Sequence, residues 1–248
     1  MKKFNTTLLF FLLITFMLSA QPNYKLVAPF FKKYISEQGQ LDYKSLKKNK
    51  LDIAKTLKCF SDVPPKNEWH RNERLAYWIN VYNLQMISML VENYPAKSIL
   101  DIYDGKIWKV KNLMIGDKSY CLDDIENDII RKELNEPRVH FALYSGAMSS
   151  PDLLNEVFTP SNMNSNFELL AKRFINSENN VITKEKASLS MIFDWYKGDF
   201  KDIVAFVNKY SKVKIQENAE ITFLDFDWRL KNKTTEIIEI PTVPPVTH

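Results

Sequence analysis

The longest regular pattern in the chain predicts a helix from about Asn67 to Asn93, which ends before Pro95. Apolar side chains recur along it at spacings of three and four residues, which is typical of a helix with one face packed on a core. The apolar positions are Leu75, Trp78, Ile79, Tyr82, Met86 and Leu90. Proline lacks an amide hydrogen and disfavours helical backbone in the preceding residue, so Pro95 sets the end of this helix.

The other elements follow a definite order along the chain. Two further helices are predicted before the break at Pro64–Pro65, over Tyr24 to Ser36 and Tyr43 to Leu57. After Asp101, short apolar runs around Gly116–Asp117 predict a β-hairpin. Its runs are Ile107 to Val110, Leu113 to Ile115 and Lys118 to Cys121.

Strands and helices then alternate. Val139, Phe141 and Leu143 alternate as the buried face of a strand, with His140 and Tyr144 on its other side. Further elements are predicted as helices at Phe167 to Ile175 and Asp202 to Tyr210, and strands at Val181 to Thr183 and Ile221 to Trp228. The order predicts one α+β domain over residues 21–230, a helical N-terminal half packed on a small mixed or antiparallel sheet. Residues 231–248 are expected to form a loose tail.

The first 20 residues are typical of a secretory signal peptide. Lys2 and Lys3 are followed by the apolar run Leu8 to Leu18 and a small residue, Ala20. A run of about 11 apolar residues is short for a membrane span. We therefore expect cleavage after Ala20 and export to the periplasm or the medium. The alternative is a retained N-terminal anchor, through which alone the protein would touch a membrane.

Charge and composition limit the classes of partner that the protein is expected to bind. Removal of two lysines lowers the net charge of +4 to about +2, and the chain has no basic cluster beside aromatic residues, so we expect no nucleic-acid partner. Five glycines are too few for phosphate-cradling loops. No cofactor is expected, and the partner is predicted to be an unidentified small molecule or peptide.

The two cysteines leave one question open. Cys59 and Cys121 form a disulfide in an oxidising compartment, or they are two buried free thiols; the sequence favours neither. With His70 and His140 as the only histidines before the C-terminal residue, no close ligand pair exists for a metal, so no metal site is expected.

The segment from Arg138 to Pro151 holds the candidate catalytic residues. His140 is the candidate general base, and Ser145 or Ser150 the candidate nucleophile, because nucleophilic sites bring such side chains together at strand ends. Ser150 before Pro151 also suits a purely structural role as a helix N-cap.

Other polar side chains have two interpretations each. Asn80 and Asn83 share a helix face with Glu73 and lie beside Trp78, so they could orient a ligand; the favoured interpretation is that they bond nearby backbone. Glu126 or Asn83 could orient His140; the other interpretation of Glu126 is that it completes a capping box with Asp123.

Several sequence blocks together resemble one family, the domain-of-unknown-function family 547. The blocks are Leu75 to Asn83, Leu122 to Asn127, Arg138 to Leu143, Trp195 to Phe200 and Phe223 to Trp228. The family pattern resembles a thiol site, with a histidine after the second block, the histidine of the third, and two cysteines in the following turn. The resemblance implies a likeness to cysteine-protease or transglutaminase-like enzymes.

This chain departs from that pattern. Asn127 replaces the first histidine, and Ser145 and Ser150 replace the cysteines, whereas His140 and Glu126 are kept. A helix end eases ionisation of a thiol, but a serine hydroxyl is far less acidic and needs a positioned base. The favoured prediction is therefore a catalytically degenerate relative that keeps a binding cleft lined by His140, Tyr144, Asn80 and Asn83. Trp78 and Asn127 are further candidate binding residues. The alternatives are an active serine hydrolase and a structural envelope protein without a cleft.

Overall fold

The computed structural model describes residues 21–232 of the chain. The predicted signal peptide and most of the predicted tail lie outside these residues. The tail does not begin where we expected, because Lys231 is buried and its Nζ donates to the Ser150 carbonyl oxygen at 2.5 Å and to Asp152 Oδ1 at 2.9 Å.

Helices dominate both halves of the domain. The α-helices are α1 (Tyr24–Tyr34), α2 (Tyr43–Lys48), α3 (Lys50–Ser61), α4 (Arg71–Glu92), α5 (Met163–Ile175), α6 (Met191–Trp195), α7 (Lys197–Phe200) and α8 (Ile203–Tyr210). Short 3₁₀ helices cover Ile99–Gly105, Ile107–Lys109 and Pro137–Phe141, and a π-helix covers Asp124–Leu134.

The strands form two small sheets. Strands β1 (Leu113–Ile115) and β2 (Lys118–Tyr120) form the predicted hairpin, whereas Ile107–Lys109 is a 3₁₀ helix. Strands β3 (Val181–Ile182), β4 (Lys186–Ser190) and β5 (Glu220–Leu224) form a mixed sheet. In it β3 runs antiparallel and β5 parallel to β4, with Val181 opposite Ser188 and Ala187 opposite Ile221. The α+β prediction with a mixed sheet is confirmed.

Helix α4 is the centre of the core. Nearly every side chain from Leu75 to Val91 is buried, so the helix is covered on all sides and not only on the predicted stripe. It packs against α3, the π-helix and α5. A central position explains why this helix tolerates buried amides, since its neighbours supply backbone partners for them.

The predicted strand at Val139 to Leu143 is wrong. Pro137 begins a 3₁₀ helix there, and Glu136 caps it by accepting the Arg138 amide at 3.2 Å. Proline fixes φ near the helical value, so it favours this start. His140 and Tyr144 are as buried as the apolar residues between them, so the alternation did not mark a solvent face.

Two predicted helix caps are also wrong. No helix follows Ser150, because the Leu153 amide donates to the Gly39 carbonyl oxygen at 3.2 Å and holds this part of the chain outside a helix. Glu126 completes no capping box; Asp124 accepts the Cys121 amide at 2.9 Å, and Glu126 is bonded elsewhere.

Cys59 and Cys121 are both free thiols, as in the second of the two alternatives, but only Cys121 is buried and Cys59 is half-buried. Within residues 21–232, no helix is long and apolar enough to cross a membrane.

Candidate functional site

A cleft of about 330 Å³ opens beside His140. Its lining residues are Tyr82, Trp108, Asp123, Glu126, Asn127, His140, Leu143, Ser145, Pro151, Ile192, Trp195, Tyr196, Phe226 and Trp228. Cavities of this size accept small organic molecules, and apolar walls with a few polar groups are typical of ligand sites. The predicted residues Glu126, Asn127, His140 and Ser145 all reach it.

His140 is held by a carboxylate and by an aromatic ring. Its Nε2 lies 2.8 Å from Asp199 Oδ2, and its ring stacks on Tyr196 at 3.9 Å between centroids. The side chain is 1% exposed, and Nδ1 has no hydrogen-bond partner among the described residues. Because a carboxylate accepts hydrogen bonds, the contact with Asp199 places a proton on His140 Nε2, and Nδ1 is the ring nitrogen left without a partner.

Asp199 joins His140 to Arg131. Arg131 donates to the two oxygens of Asp199, from Nε at 2.6 Å and from Nη2 at 3.2 Å. The hydrogen bond with His140, followed by that with Arg131, holds the pKa of Asp199 far below its usual range. Asn127 extends this network, because its Oδ1 accepts from Arg131 Nη1 at 2.7 Å. Asn127 therefore orients Arg131.

Glu126 is a buried carboxylate held by phenols. Tyr196 donates to its Oε1 at 2.7 Å and Tyr82 to its Oε2 at 3.1 Å, while Trp108 Nε1 donates to the Tyr82 oxygen at 3.2 Å. Burial, followed by the neighbouring Glu126 charge, raises the pKa of both tyrosines. They stay protonated and remain donors. Glu126 therefore does not bond His140, and its predicted role of orienting that ring is wrong; Asp199 orients it.

The π-helix Asp124–Leu134 explains how one element serves both networks. Hydrogen bonds from residue i to i+5 bring side chains five apart close to the same face, which an α-helix would separate. Glu126 and Arg131 are five apart. Both meet Tyr196, Glu126 at its hydroxyl and Arg131 over its ring at 4.7 Å.

The two candidate nucleophiles are engaged with the backbone. Ser150 Oγ accepts the Ser145 amide at 2.9 Å and donates to the Pro151 carbonyl oxygen at 3.1 Å. Ser150 is 0% exposed, whereas Ser145 is half-buried at the cleft wall. Neither hydroxyl is hydrogen-bonded to His140, whose Nε2 faces Asp199. Ser150 closes the turn that carries Ser145.

Four predicted binding residues lie in the core rather than at the cleft. Asn80 donates to the Phe158 carbonyl oxygen at 2.7 Å, and Asn83 bridges the Ala142 carbonyl and the Tyr144 amide at 2.8 and 2.9 Å. This agrees with the favoured interpretation of both amides.

The other two are aromatic residues. The Tyr144 hydroxyl meets that of Tyr43 at 3.1 Å, and Trp78 packs on Tyr120 at 5.1 Å. Tyr144 and Trp78 therefore do not line the cleft, because both point into the core.

Sequence reasoning missed the aromatic rim, which consists of Trp108, Trp195, Phe226 and Trp228. Neighbouring ring centroids in this rim are 4.4 to 5.9 Å apart. The rim forms because Trp228 follows β5 and its carbonyl accepts the Ile99 amide at 3.0 Å, which brings it beside Trp108. Sequence reasoning also missed Asp199, although this residue lies in one of the blocks that carried the family resemblance, Trp195 to Phe200, and that was a usable signal.

Residues 21–232 contain no group of three or more His, Cys, Asp or Glu side chains that could hold a metal ion. The residues that line the cleft carry two carboxylates, an imidazole, an amide, the hydroxyls of Ser145, Tyr82 and Tyr196, and three indole nitrogens. These groups offer hydrogen bonds and negative charge to the space inside the cleft.

Residues 66–175 match the family described as "Protein of unknown function, DUF547". The predicted family resemblance is confirmed. The match contains α4, the π-helix and the His140 segment, so the family segment supplies His140, Glu126 and Ser145. Asp199 and the aromatic rim residues after β5 lie beyond it. No curated protein and no solved structure matches the chain significantly.

Proposed function

We propose that this protein is an exported binding protein, a catalytically degenerate relative of a thiol hydrolase-like fold that holds a small ligand in the cleft beside His140. The observation that carries the proposal is an intact cleft whose two family thiol positions, Ser145 and Ser150, are hydroxyls not bonded to His140. Export is supported by the signal-like residues 1–20.

The chemistry of the hydroxyls supports weak or absent turnover. A serine needs a base within about 3.2 Å of its oxygen to become a nucleophile. The Ser150 hydroxyl hydrogen is directed to the Pro151 carbonyl, and Ser150 is fully buried. A ligand entering the cleft meets Ser145 alone, without a base bonded to it.

A serine hydrolase is the second candidate, and one observation favours it. The pair His140–Asp199 has the geometry of a general base and its orienting carboxylate, and Nδ1 has no hydrogen-bond partner among the described residues. It would act if the Ser145 turn brought its hydroxyl to Nδ1 when a ligand binds. The same cleft serves both candidates, so they differ in whether a covalent adduct forms.

Binding is tested with a neutral aromatic probe, 4-tert-butylphenol, in isothermal titration calorimetry. We expect saturable binding with one site, which a Trp195→Ala change at the rim weakens about threefold or more, since a stacked aromatic contact contributes about 0.5–1.5 kcal/mol. Leu51→Ala, at an exposed leucine of α3, is the matched control and leaves the affinity unchanged. Absence of binding by this probe and by its charged analogues would refute the proposal.

A further inference from the structure

Among the described residues, the cleft is lined by acidic side chains without basic ones of lysine or arginine. Asp123 and Glu126 line it, and within the described part of the chain no lysine or arginine does so. The cations around it have other partners: Arg131 is paired with Asp199, although it also interacts electrostatically with Glu126, and Lys111 contacts Asp124 at 3.6 Å. Lys109 is exposed.

Partial or full burial of these two carboxylates is energetically unfavourable. Glu126 is buried, and its hydrogen-bond partners, Tyr82 and Tyr196, are neutral. Burial raises the pKa of Asp123, an effect that Lys109 offsets in part. A desolvated carboxylate is stabilised by a cation, so an incoming positive charge would relieve both groups.

The rim adds the second component of a cation site. Trp108, Trp228, Phe226 and Trp195 follow one another in contact around the cleft, and Trp195 is 43% exposed. The faces of aromatic rings attract cations, Trp most strongly, and weakly hydrated alkylated ammonium groups are the cations that aromatic cages select.

We infer that the cleft selects a small organic cation that carries an alkylated ammonium group, with the aromatic rim around the alkyl groups and Glu126 and Asp123 facing the charge. This inference rests on the proposed binding function and names its ligand class. An anion is disfavoured by the same two carboxylates. A neutral aromatic molecule makes the contacts with the rings but has no electrostatic attraction to the two carboxylates.

Three probes of nearly equal shape test this by calorimetry at low salt: 4-hydroxyphenyltrimethylammonium, its neutral isostere 4-tert-butylphenol, and the anion 4-hydroxybenzenesulfonate. We expect the cation to bind at least about tenfold more tightly than the isostere, which is about 1.4 kcal/mol, and the anion most weakly. A capped trimethyllysine tests whether the natural ligand is a modified lysine side chain of a peptide or a free small molecule. If it is a peptide side chain, capped trimethyllysine should bind more tightly than 4-hydroxyphenyltrimethylammonium.

Charge-removing variants complete the test. Glu126→Gln and Asp123→Asn should each lower the affinity for the cation about fivefold or more and leave that for the isostere within about twofold. Asp117→Asn, at an exposed turn of the β1–β2 hairpin, is the matched control and should change neither. If Glu126→Gln does not fold, the comparison uses Asp123→Asn, because Asp123 is only half-buried.

The outcomes separate the two proposals. Equal binding of cation and isostere, or tightest binding of the sulfonate, would overturn the cation inference and leave the binding function standing. A cation preference that is undiminished in both charge variants would also overturn it. No binding by any probe would overturn both.

Discussion

Asp199 is expected to stabilise the fold as well as the site, and replacing it by alanine measures how much. A hydrogen bond to a charged group contributes about 1.5–3 kcal/mol, and Asp199 makes such bonds with Arg131 and His140. The Asp199 and Arg131 side chains are 26% and 27% exposed, so solvent screens the charge left behind. We therefore expect a loss of about 2–3 kcal/mol, below the roughly 3–5 kcal/mol of a fully buried broken pair.

Equilibrium unfolding in urea measures this loss, with Asp128→Ala as a control because Asp128 is an exposed carboxylate of the same π-helix. The control should change the free energy of unfolding by less than about 0.5 kcal/mol. In a double-mutant cycle of Asp199→Ala and Arg131→Ala, we expect a coupling energy of about 1–2 kcal/mol, so the double variant loses less stability than the sum of the two single variants. A loss below about 0.5 kcal/mol for Asp199→Ala, or strict additivity in the cycle, would refute the reasoning about this network.

Three further predictions concern stability. Asn83→Ala should cost about 2–4 kcal/mol in urea unfolding, because it leaves a buried carbonyl and the Tyr144 amide unpaired; a neutral result would contradict that pairing. Gly146→Ala should cost about 1–3 kcal/mol by the same assay, since φ is 78° and a Cβ would stand 2.4 Å from Leu90 Cδ1; unchanged stability would show that the turn is adaptable. The low pKa of Asp199 adds stability that is complete above about pH 4, the unfolded value, and is lost as pH falls toward the folded value, because the unfolded state binds the proton first. Asp199→Asn should therefore flatten the unfolding free energy against pH below about pH 4, and an unchanged slope would contradict this.

The sequence predicted the elements that local patterns specify. Helix α4, the β1–β2 hairpin and helix α8 follow from apolar spacing, proline positions and a Gly–Asp turn. The strand predicted for the His140 segment was wrong because alternating apolar residues do not identify a strand when the residues between them are buried too. A fully buried 3₁₀ turn can carry the same sequence pattern. The π-helix has no sequence signal of its own, since its bonding pattern depends on the contacts it serves.

The site could be predicted only in part, for a physical reason. His140, Glu126, Asn127 and Ser145 lie within one stretch of chain and all line the cleft. Asp199 is far along the chain, and its role depends on α7 packing beside the 3₁₀ turn. The aromatic rim likewise depends on the path taken after β5. Long-range packing of this kind is not encoded in local spacing.

The central claim is that the cleft beside His140 holds a ligand without forming a covalent bond to it. Intact-mass spectrometry after incubation with a fluorophosphonate tests this directly, with His140→Ala as the comparison. The account predicts that the protein keeps its unmodified mass in both forms. An adduct on Ser145 or Ser150 that disappears in His140→Ala would contradict it and establish the serine hydrolase.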